Sequence, residues 1–141
     1  ALVGTMLNGK LNYARSMGLS VSTKILASFS GIGERDLCRL LGNLLDNGIE
    51  AAVRTEKKTL DLVLQGDENR LLIEMENAAD HPLVLEDGRA QTDKEDRMRH
   101  GWGMRIIGQI AEKYGGTIRV ENREGTVAVV VLLFRFSGRG G

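Results

Sequence analysis

A leucine repeat and two asparagines share the stretch Leu41-Gly42-Asn43-Leu44-Leu45-Asp46-Asn47-Gly48-Ile49-Glu50. On a helix that turns about 100° per residue, the two amides and two carboxylates fall within about 100° of one another, roughly opposite the leucines. Such oxygens are the hard ligands that Mg²⁺ prefers. A polar face in contact with water is the ordinary alternative, and this helix by itself favours it. Asparagine is nevertheless a poor helix former, so two of them in mid-helix require an explanation.

Hydrophobic periodicity on either side of this helix predicts two further helices and five strands. The predicted helices span 2–17, 36–54 and 102–114, and the predicted strands span 19–27, 59–65, 70–76, 117–122 and 126–136. Asp36 or a neighbour is expected to cap the central helix. Residues 127–134 are apolar on both faces, which predicts a central, covered strand. The order of elements indicates an α+β sandwich, with one mixed, mostly antiparallel sheet and helices packed on one face.

Composition excludes several classes of protein. The chain has 141 residues, which suits a single domain over 1–141, and residues 137–141 are expected to form a disordered tail. Its 19 Lys and Arg balance 19 Asp and Glu, which argues against nucleic-acid binding through bulk charge. One cysteine, Cys38, permits no internal disulfide. No apolar run approaches the roughly 20 residues of a membrane span, so no direct membrane contact is expected from this chain.

The charged segment 80–100 and its two flanks hold the other candidate residues. A segment of this length without periodicity is typically functional or disordered. It ends at His100-Gly101-Trp102-Gly103-Met104, where a helix start with bare glycines could receive a phosphate, or where glycine could act as a hinge. Asn77, at the end of a strand, could read a base edge or form a turn. Thr126 opens the last strand, and either a β-forming or a ligand-binding role is open to it.

In this order, these motifs resemble the GHKL ATPases, and among them the ATP-binding catalytic domain of sensor histidine kinases. The subtype that it resembles most is the quorum-sensing, peptide-sensing kinase. Residues 43–51 are similar to the family's N box, and residues 100–105 to its second glycine box. Residues 114–116 and 125–126 match the hairpin that follows. The pair of boxes with a loop between them is specific, whereas either box alone would not be.

The resemblance implies a Bergerat α/β sandwich that binds ATP and Mg²⁺. It implies that Asn47 is the metal ligand, with Asn43 near the metal and phosphates as the second catalytic residue. Asn77 would read the adenine amino group, and Thr126 would face the adenine side. Residues 80–100 would form a mobile ATP lid, and glycines at the helix start would line the phosphates. The ATP-binding set implied in this way is Asn43, Asn47, Glu50, Asn77, Lys94, Gly101, Trp102, Gly103, Met104 and Thr126.

Two departures from the family pattern bear on function. The usual Asp-x-Gly-x-Gly is replaced by Asn77-Ala78-Ala79-Asp80, whose amide accepts a weaker hydrogen bond than a carboxylate. Gly48 stands where an alanine is customary. No acceptor histidine lies on a dimerisation helix, because His81 and His100 lie in or beside the loop.

The expected function is therefore to bind Mg-ATP and supply its γ-phosphoryl group to a histidine on an upstream dimerisation domain, for onward transfer to a response regulator. This chain alone is not expected to autophosphorylate. The expected location is cytoplasmic, as part of a membrane-bound sensor. The alternative is a non-catalytic GHKL-fold module that binds a partner, such as a degenerate kinase or an anti-sigma-like regulator.

Overall fold

The structure, a computed structural model, describes residues 2–86, 89–91 and 94–136, with side chains described for 2–83 and 103–136. The helices are α1 Leu2–Ser16, α2 Glu34–Ala52 and α3 Lys94–Lys113. The strands are β1 Ser20–Ile25, β2 Thr59–Gly66, β3 Arg70–Ala78, β4 Val84–Glu86, β5 Arg89–Gln91, β6 Thr117–Arg123 and β7 Thr126–Phe134. The predicted tail, 137–141, lies outside the described residues.

One five-stranded sheet organises the fold, with strand order β1-β2-β3-β7-β6. Only the β1–β2 pair among these neighbours is parallel, and the other three pairs are antiparallel. Alternate residues of β2 and β3 are fully buried in the core that they share with the leucines of α2, namely Leu60, Leu62, Leu64, Leu71, Ile73 and Met75. The predicted α+β sandwich, with a mixed, mostly antiparallel sheet and its helices on one face, is confirmed.

The opposite face of the sheet is charged. It carries Glu76 and Arg123, whose side chains form an ion pair at 2.5 Å, with Glu74 and Glu121 beside them. Ala128 of β7 is nevertheless fully buried on this face. Glu76 and Glu121 are its partners on the neighbouring strands, and their longer side chains cover it on either side. Strand β7 is thus an inner strand, buried on both faces, as its composition predicted.

The prediction was wrong about how two helices begin. Helix α2 starts at Glu34, and its N-cap position is Gly33, which makes no side-chain capping bond. Asp36 therefore lies inside the first turn and does not cap the helix. Helix α3 starts at Lys94, eight residues before the predicted start at 102, and the segment 80–99 also contains the β4–β5 hairpin. Neither the first turns of α3 nor the β4–β5 hairpin has a regular apolar pattern, so hydrophobic periodicity did not predict them.

Candidate functional site

Two asparagines of α2 and a glycine of α3 meet where the two helices pack together. A Cβ atom placed on Gly103 would lie 3.2 Å from Asn47 Nδ2, 3.3 Å from Asn47 Oδ1 and 3.4 Å from Asn43 Oδ1. The absence of a side chain at Gly103 thus lets both amides approach the α3 backbone. Asn43, Asn47 and Gly103 are all residues that the sequence singled out. The structure brings them together although Gly103 lies about 60 positions after the two asparagines.

Asn47 has a polar atom without a protein partner. Its Nδ2 is buried and makes no hydrogen bond within the part of the chain that the structure describes. A buried amide without a partner costs roughly 1–3 kcal/mol, so a native protein keeps one mainly for a ligand or an ordered water. Asn43 differs, because its Nδ2 donates to the Arg39 carbonyl at 2.7 Å, which fixes the amide and leaves Oδ1 on the side of Gly103.

The residues at this point fit a magnesium ion. Half a turn of the Asn47 amide exchanges Nδ2 and Oδ1, so either atom can occupy the buried position. Together with Asn43 Oδ1, this offers amide oxygens, which are hard ligands suited to a site that water and substrate phosphates complete. Among the described residues, no cluster of three or more His, Cys, Asp or Glu side chains could hold a metal by itself.

A cavity of about 480 Å³ opens beside Asn47. This volume lies in the range of small-molecule sites. Its walls combine apolar side chains with a few polar groups, contributed by Leu44, Asn47, Ala51, Arg54, Met75, Asn77, Ala79, Asp80, His81, Pro82, Leu83, Met104, Val127 and Val129. Asn47, Asn77 and Met104 of the predicted set line it. The apolar wall from Met75, Val127 and Val129 was missed, since in sequence these residues look like ordinary core.

Asn77 is the polar group on the sheet side of the cavity. It is 4% exposed, and its Nδ2 donates to the Ala78 carbonyl at 3.0 Å. That bond needs a donor, so an aspartate in this position would place a carboxylate oxygen against a carbonyl oxygen. The second polar atom of Asn77, the acceptor Oδ1, stays available for a ligand donor such as an exocyclic amino group.

Gly48 has a packing role that its sequence context did not reveal. A Cβ atom at this position would collide with Sδ of Met75 and lie 3.0 Å from Leu60 Cδ1. The missing side chain lets β3 and its Met75 side chain approach α2 closely. Since Met75 also lines the cavity, Gly48 influences the shape of the cavity wall.

Four predicted site residues with described side chains do not line the cavity, namely Asn43, Glu50, Gly103 and Thr126. Thr126 lies on the charged face of the sheet, where its hydroxyl donates to Glu76 Oε2 at 2.7 Å, and its side chain does not line the cavity. Its neighbour Val127 lines the cavity instead, because side chains alternate along a strand. Glu50 is half-buried, with Oε1 at 3.7 Å from Nη2 of Arg54, and Arg54 is the member of this pair that reaches the cavity.

The glycine box also differs from expectation. Gly101 and Gly103 lie inside α3 and not at its start, so their backbone N–H groups belong to the helix. The predicted helix start, with free N–H groups for phosphates, is therefore not present in this structure. The side chains of Lys94 and Trp102 lie outside the described residues, whereas Met104 is buried at the cavity wall.

At their other ends, α2 and α3 are joined by a closed set of hydrogen bonds. The Tyr114 hydroxyl accepts from the Gly33 N–H at 2.8 Å and donates to Asp36 Oδ2 at 2.6 Å. Lys113 Nζ donates to the same oxygen at 2.8 Å. The hydrogen bonds from Lys113 and Tyr114 hold the pKa of Asp36 below its ordinary value of 3.8. The N-cap residue Gly33 has no side chain to cap α2, and its N–H donates instead to the Tyr114 hydroxyl, which in turn is bonded to Asp36.

Comparison with known proteins agrees with this arrangement. The model of the GHKL domain family matches residues 33–134, and the chain belongs to that family. Two similar proteins are the sensor histidine kinase DpiB of Escherichia coli and a probable C4-dicarboxylate sensor kinase of Bacillus subtilis. Each is 26% identical, over 86% and 98% of this chain respectively. The chain spans about a quarter of the length of these curated relatives, 24% and 27%.

Solved structures share the fold. The catalytic domain of histidine kinase ThkA, in a nucleotide-free form, superposes with a TM-score of 0.72 at 18% identity, over 95% of this chain and 91% of that domain. Full-length ShkA in complex with AMPPNP gives a TM-score of 0.67 at 18% identity, over 96% of this chain and 30% of that protein. The architecture is that of histidine kinase catalytic domains. No helix among the described residues is long and apolar enough to cross a membrane.

Proposed function

We propose that the chain binds Mg-ATP and supplies the γ-phosphoryl group to a histidine on another domain of a sensor kinase. The supporting observation is the meeting of Asn43, Asn47 and Gly103, with one amide atom buried and unbonded, at the edge of the 480 Å³ cavity. An unbonded buried amide raises the free energy of the folded state, and a ligand bound at this point would offset that cost. Residues 1–141 would act as one domain.

The adenine ring would lie in the apolar part of the cavity. Met75, Val127 and Val129 give it an aliphatic wall, and Asn77 Oδ1 can accept a hydrogen bond from the exocyclic amino group. Asn77 is uncharged, so this hydrogen bond is weaker than one to an aspartate. The quorum-sensing subtype that the sequence resembles also carries asparagine in this position, and that subtype stays a prediction.

The triphosphate would extend toward Asn47 and Asn43. Asn47 would hold Mg²⁺ through its amide oxygen, with Asn43 close to the metal and phosphates. A Mg²⁺ ion held by these amide oxygens would supply positive charge to offset the negative charge of the phosphates during phosphoryl transfer. An amide at position 43 cannot serve as a general base, so these residues position the phosphates without activating water. Slow hydrolysis of ATP would follow from the lack of a general base at position 43.

The segment 80–100 would act as the lid, and Lys94 within it would contact the nucleotide together with Gly101 and Trp102, which follow the segment directly. The backbone N–H groups near Gly101 can reach a phosphate only after the first turns of α3 release their internal hydrogen bonds. Nucleotide binding would therefore be coupled to a change at the start of α3. Glu50 is half-buried beside Arg54, and it would contribute to nucleotide binding through Arg54, which lines the cavity.

The partners that we propose follow from the relatives. Both curated relatives are named as sensor kinases, and the chain matches about a quarter of each. The acceptor histidine would belong to an upstream dimerisation domain, and the phosphoryl group would pass from there to a response regulator. Such a domain would work in the cytoplasm, next to a membrane-bound sensor.

Calorimetric titration of the chain with AMPPNP and Mg²⁺ tests the proposal. We expect Asn47→Ala to weaken Mg²⁺-dependent binding by about 10- to 100-fold. The same change should preserve or raise stability, since it removes a buried unbonded amide and places alanine in a helix. Asn8→Ala, at an exposed position of α1, is the matched control and should leave binding unchanged. If the wild-type chain fails to bind at about 1 mM nucleotide, the non-catalytic partner-binding module becomes the better hypothesis.

A further inference from the structure

Asn122, near the end of β6, is hydrogen-bonded to the backbone of a distant segment. Its Oδ1 accepts from the Leu83 N–H at 2.8 Å, and its Nδ2 donates to the Leu83 carbonyl at 2.9 Å. An asparagine amide carries the same donor and acceptor as a peptide group. The side chain therefore reproduces the two-bond contact that pairs residues of neighbouring antiparallel strands, although Leu83 belongs to no strand.

These bonds hold one wall of the cavity. Residues 79–83, here called the wall segment, all line the cavity. The segment begins at a backbone hydrogen bond from Ala79 N to Gly125 O at 3.0 Å, and it ends at the bonds between Leu83 and Asn122. Both attachment points belong to the β6–β7 hairpin. Between these two points, the described residues of the wall segment make no further hydrogen bond to the rest of the protein.

The location of Asn122 places Leu83 against the apolar part of the cavity. Asn122 is the register partner of Val127, and it shares a face of β6 with Val120, which packs against the core. Leu83 is partly buried against the same core, and both Leu83 and Val127 line the cavity. The residue after Leu83 opens β4, the first element of the segment 80–100. The point where that segment leaves the sheet is therefore set by one side-chain amide.

We propose that Asn122 is a positioning residue for the nucleotide site. It holds the wall segment over the place where the adenine ring would lie, so that a bound nucleotide is retained. This inference rests on the proposed function. Asn122 itself does not line the cavity, and its effect on a ligand passes through Leu83. The expected consequence of losing it is faster dissociation of the nucleotide with little change in association, since the phosphate end of the site is intact.

The first experiment compares Asn122→Leu with wild type and with Asn69→Leu. The leucine keeps the size of asparagine and removes both hydrogen bonds. Asn69, an exposed residue in the β2–β3 turn at the far end of the sheet, provides the matched control. Stopped-flow measurements with a fluorescent ATP analogue and Mg²⁺ should show dissociation about tenfold faster in Asn122→Leu, as expected for two lost hydrogen bonds. Hydrogen exchange at the Leu83 amide should accelerate in the same variant.

A second variant separates positioning from general stability. Asn122→Asp keeps an acceptor for the Leu83 N–H, but at neutral pH it places a carboxylate beside the Leu83 carbonyl. Protonation restores a donor, so the ratio of its dissociation rate to that of wild type should fall toward one as the pH is lowered through and below the ordinary aspartate pKa of about 3.9. Asn122→Leu has no titratable group and should show no such recovery. Asn122→Asp also serves if the leucine variant does not fold.

The outcomes distinguish the two proposals. Binding by wild type with unchanged dissociation in both Asn122 variants would overturn the positioning role and leave the proposed function standing. Faster Leu83 exchange without faster dissociation would also overturn it, by reducing the contact to local structure. If wild type does not bind the analogue at all, the proposed function fails, and the positioning role fails with it.

Discussion

The two ends of the α2–α3 pair differ in whether their polar groups are hydrogen-bonded. At the end formed by Asp36 and Tyr114, a tyrosine hydroxyl, a carboxylate, an ammonium and a backbone N–H satisfy one another within 2.6–2.8 Å. At the end formed by Asn47 and Gly103, the helices approach through a glycine, and Asn47 Nδ2 is buried without a bond among the described residues. The same two helices thus carry one closed and one open polar cluster.

The difference indicates that one end of the helix pair contributes to stability and the other to ligand binding. A closed cluster lowers the free energy of the folded state and fixes how the helices cross. An open cluster raises that free energy and is retained where a ligand can complete it. Stability is expected to depend on the Tyr114 end, and nucleotide affinity on the Asn47 end.

Tyr114→Phe should have the largest effect on stability. It removes the bond to the Asp36 carboxylate and leaves the Gly33 N–H without its partner, which should cost about 2 kcal/mol in the free energy of unfolding. Urea denaturation measures this cost. Tyr13→Phe, at an exposed position of α1, should change little. A nucleotide affinity that falls as steeply as the stability would contradict the separation of the two ends.

Gly103→Ala should act in the opposite sense. Its Cβ would approach both Asn47 and Asn43 within 3.2–3.4 Å, so the amides must shift and nucleotide affinity should fall about tenfold. Stability should stay level or rise, because alanine favours a helix over glycine by about 1 kcal/mol. Gly108→Ala in the same helix meets no atom within 4 Å and should gain stability with unchanged affinity. Equal affinities in the two variants would remove Gly103 from the site.

Asp36→Asn should have the smallest effect, visible in acid. The pKa of Asp36 lies below 3.8 in the folded state, so its contribution is fully present above that ordinary value and is lost as the pH falls through the lower, folded pKa. Wild type should therefore lose stability relative to the variant over that range. At neutral pH the variant should lose about 1 kcal/mol or less. Thermal melts across the acid range measure both, and parallel pH profiles would argue against the ion pair.

Sequence reasoning located the elements with a regular apolar pattern and missed those without one. The leucines of α2 and the alternating residues of β2 and β3 lie where periodicity placed them. The first eight residues of α3 and the β4–β5 hairpin carry mostly charged and polar residues, so no pattern marked them. Thr126 lies on the charged face of the sheet and its neighbour Val127 lines the cavity, because a shift of one residue along a strand exchanges the two faces of the sheet.

The sequence by itself determined the α+β class, the helix that presents Asn43 and Asn47, and the family resemblance, because each depends on local spacing. Only the tertiary structure decided which groups are bonded and which are open. The contact of Gly103 with two amides, the packing of Met75 against Gly48, and the bonds between Asn122 and Leu83 join residues that are far apart in the chain. Such contacts depend on how helices and strands pack in three dimensions, which no local pattern encodes.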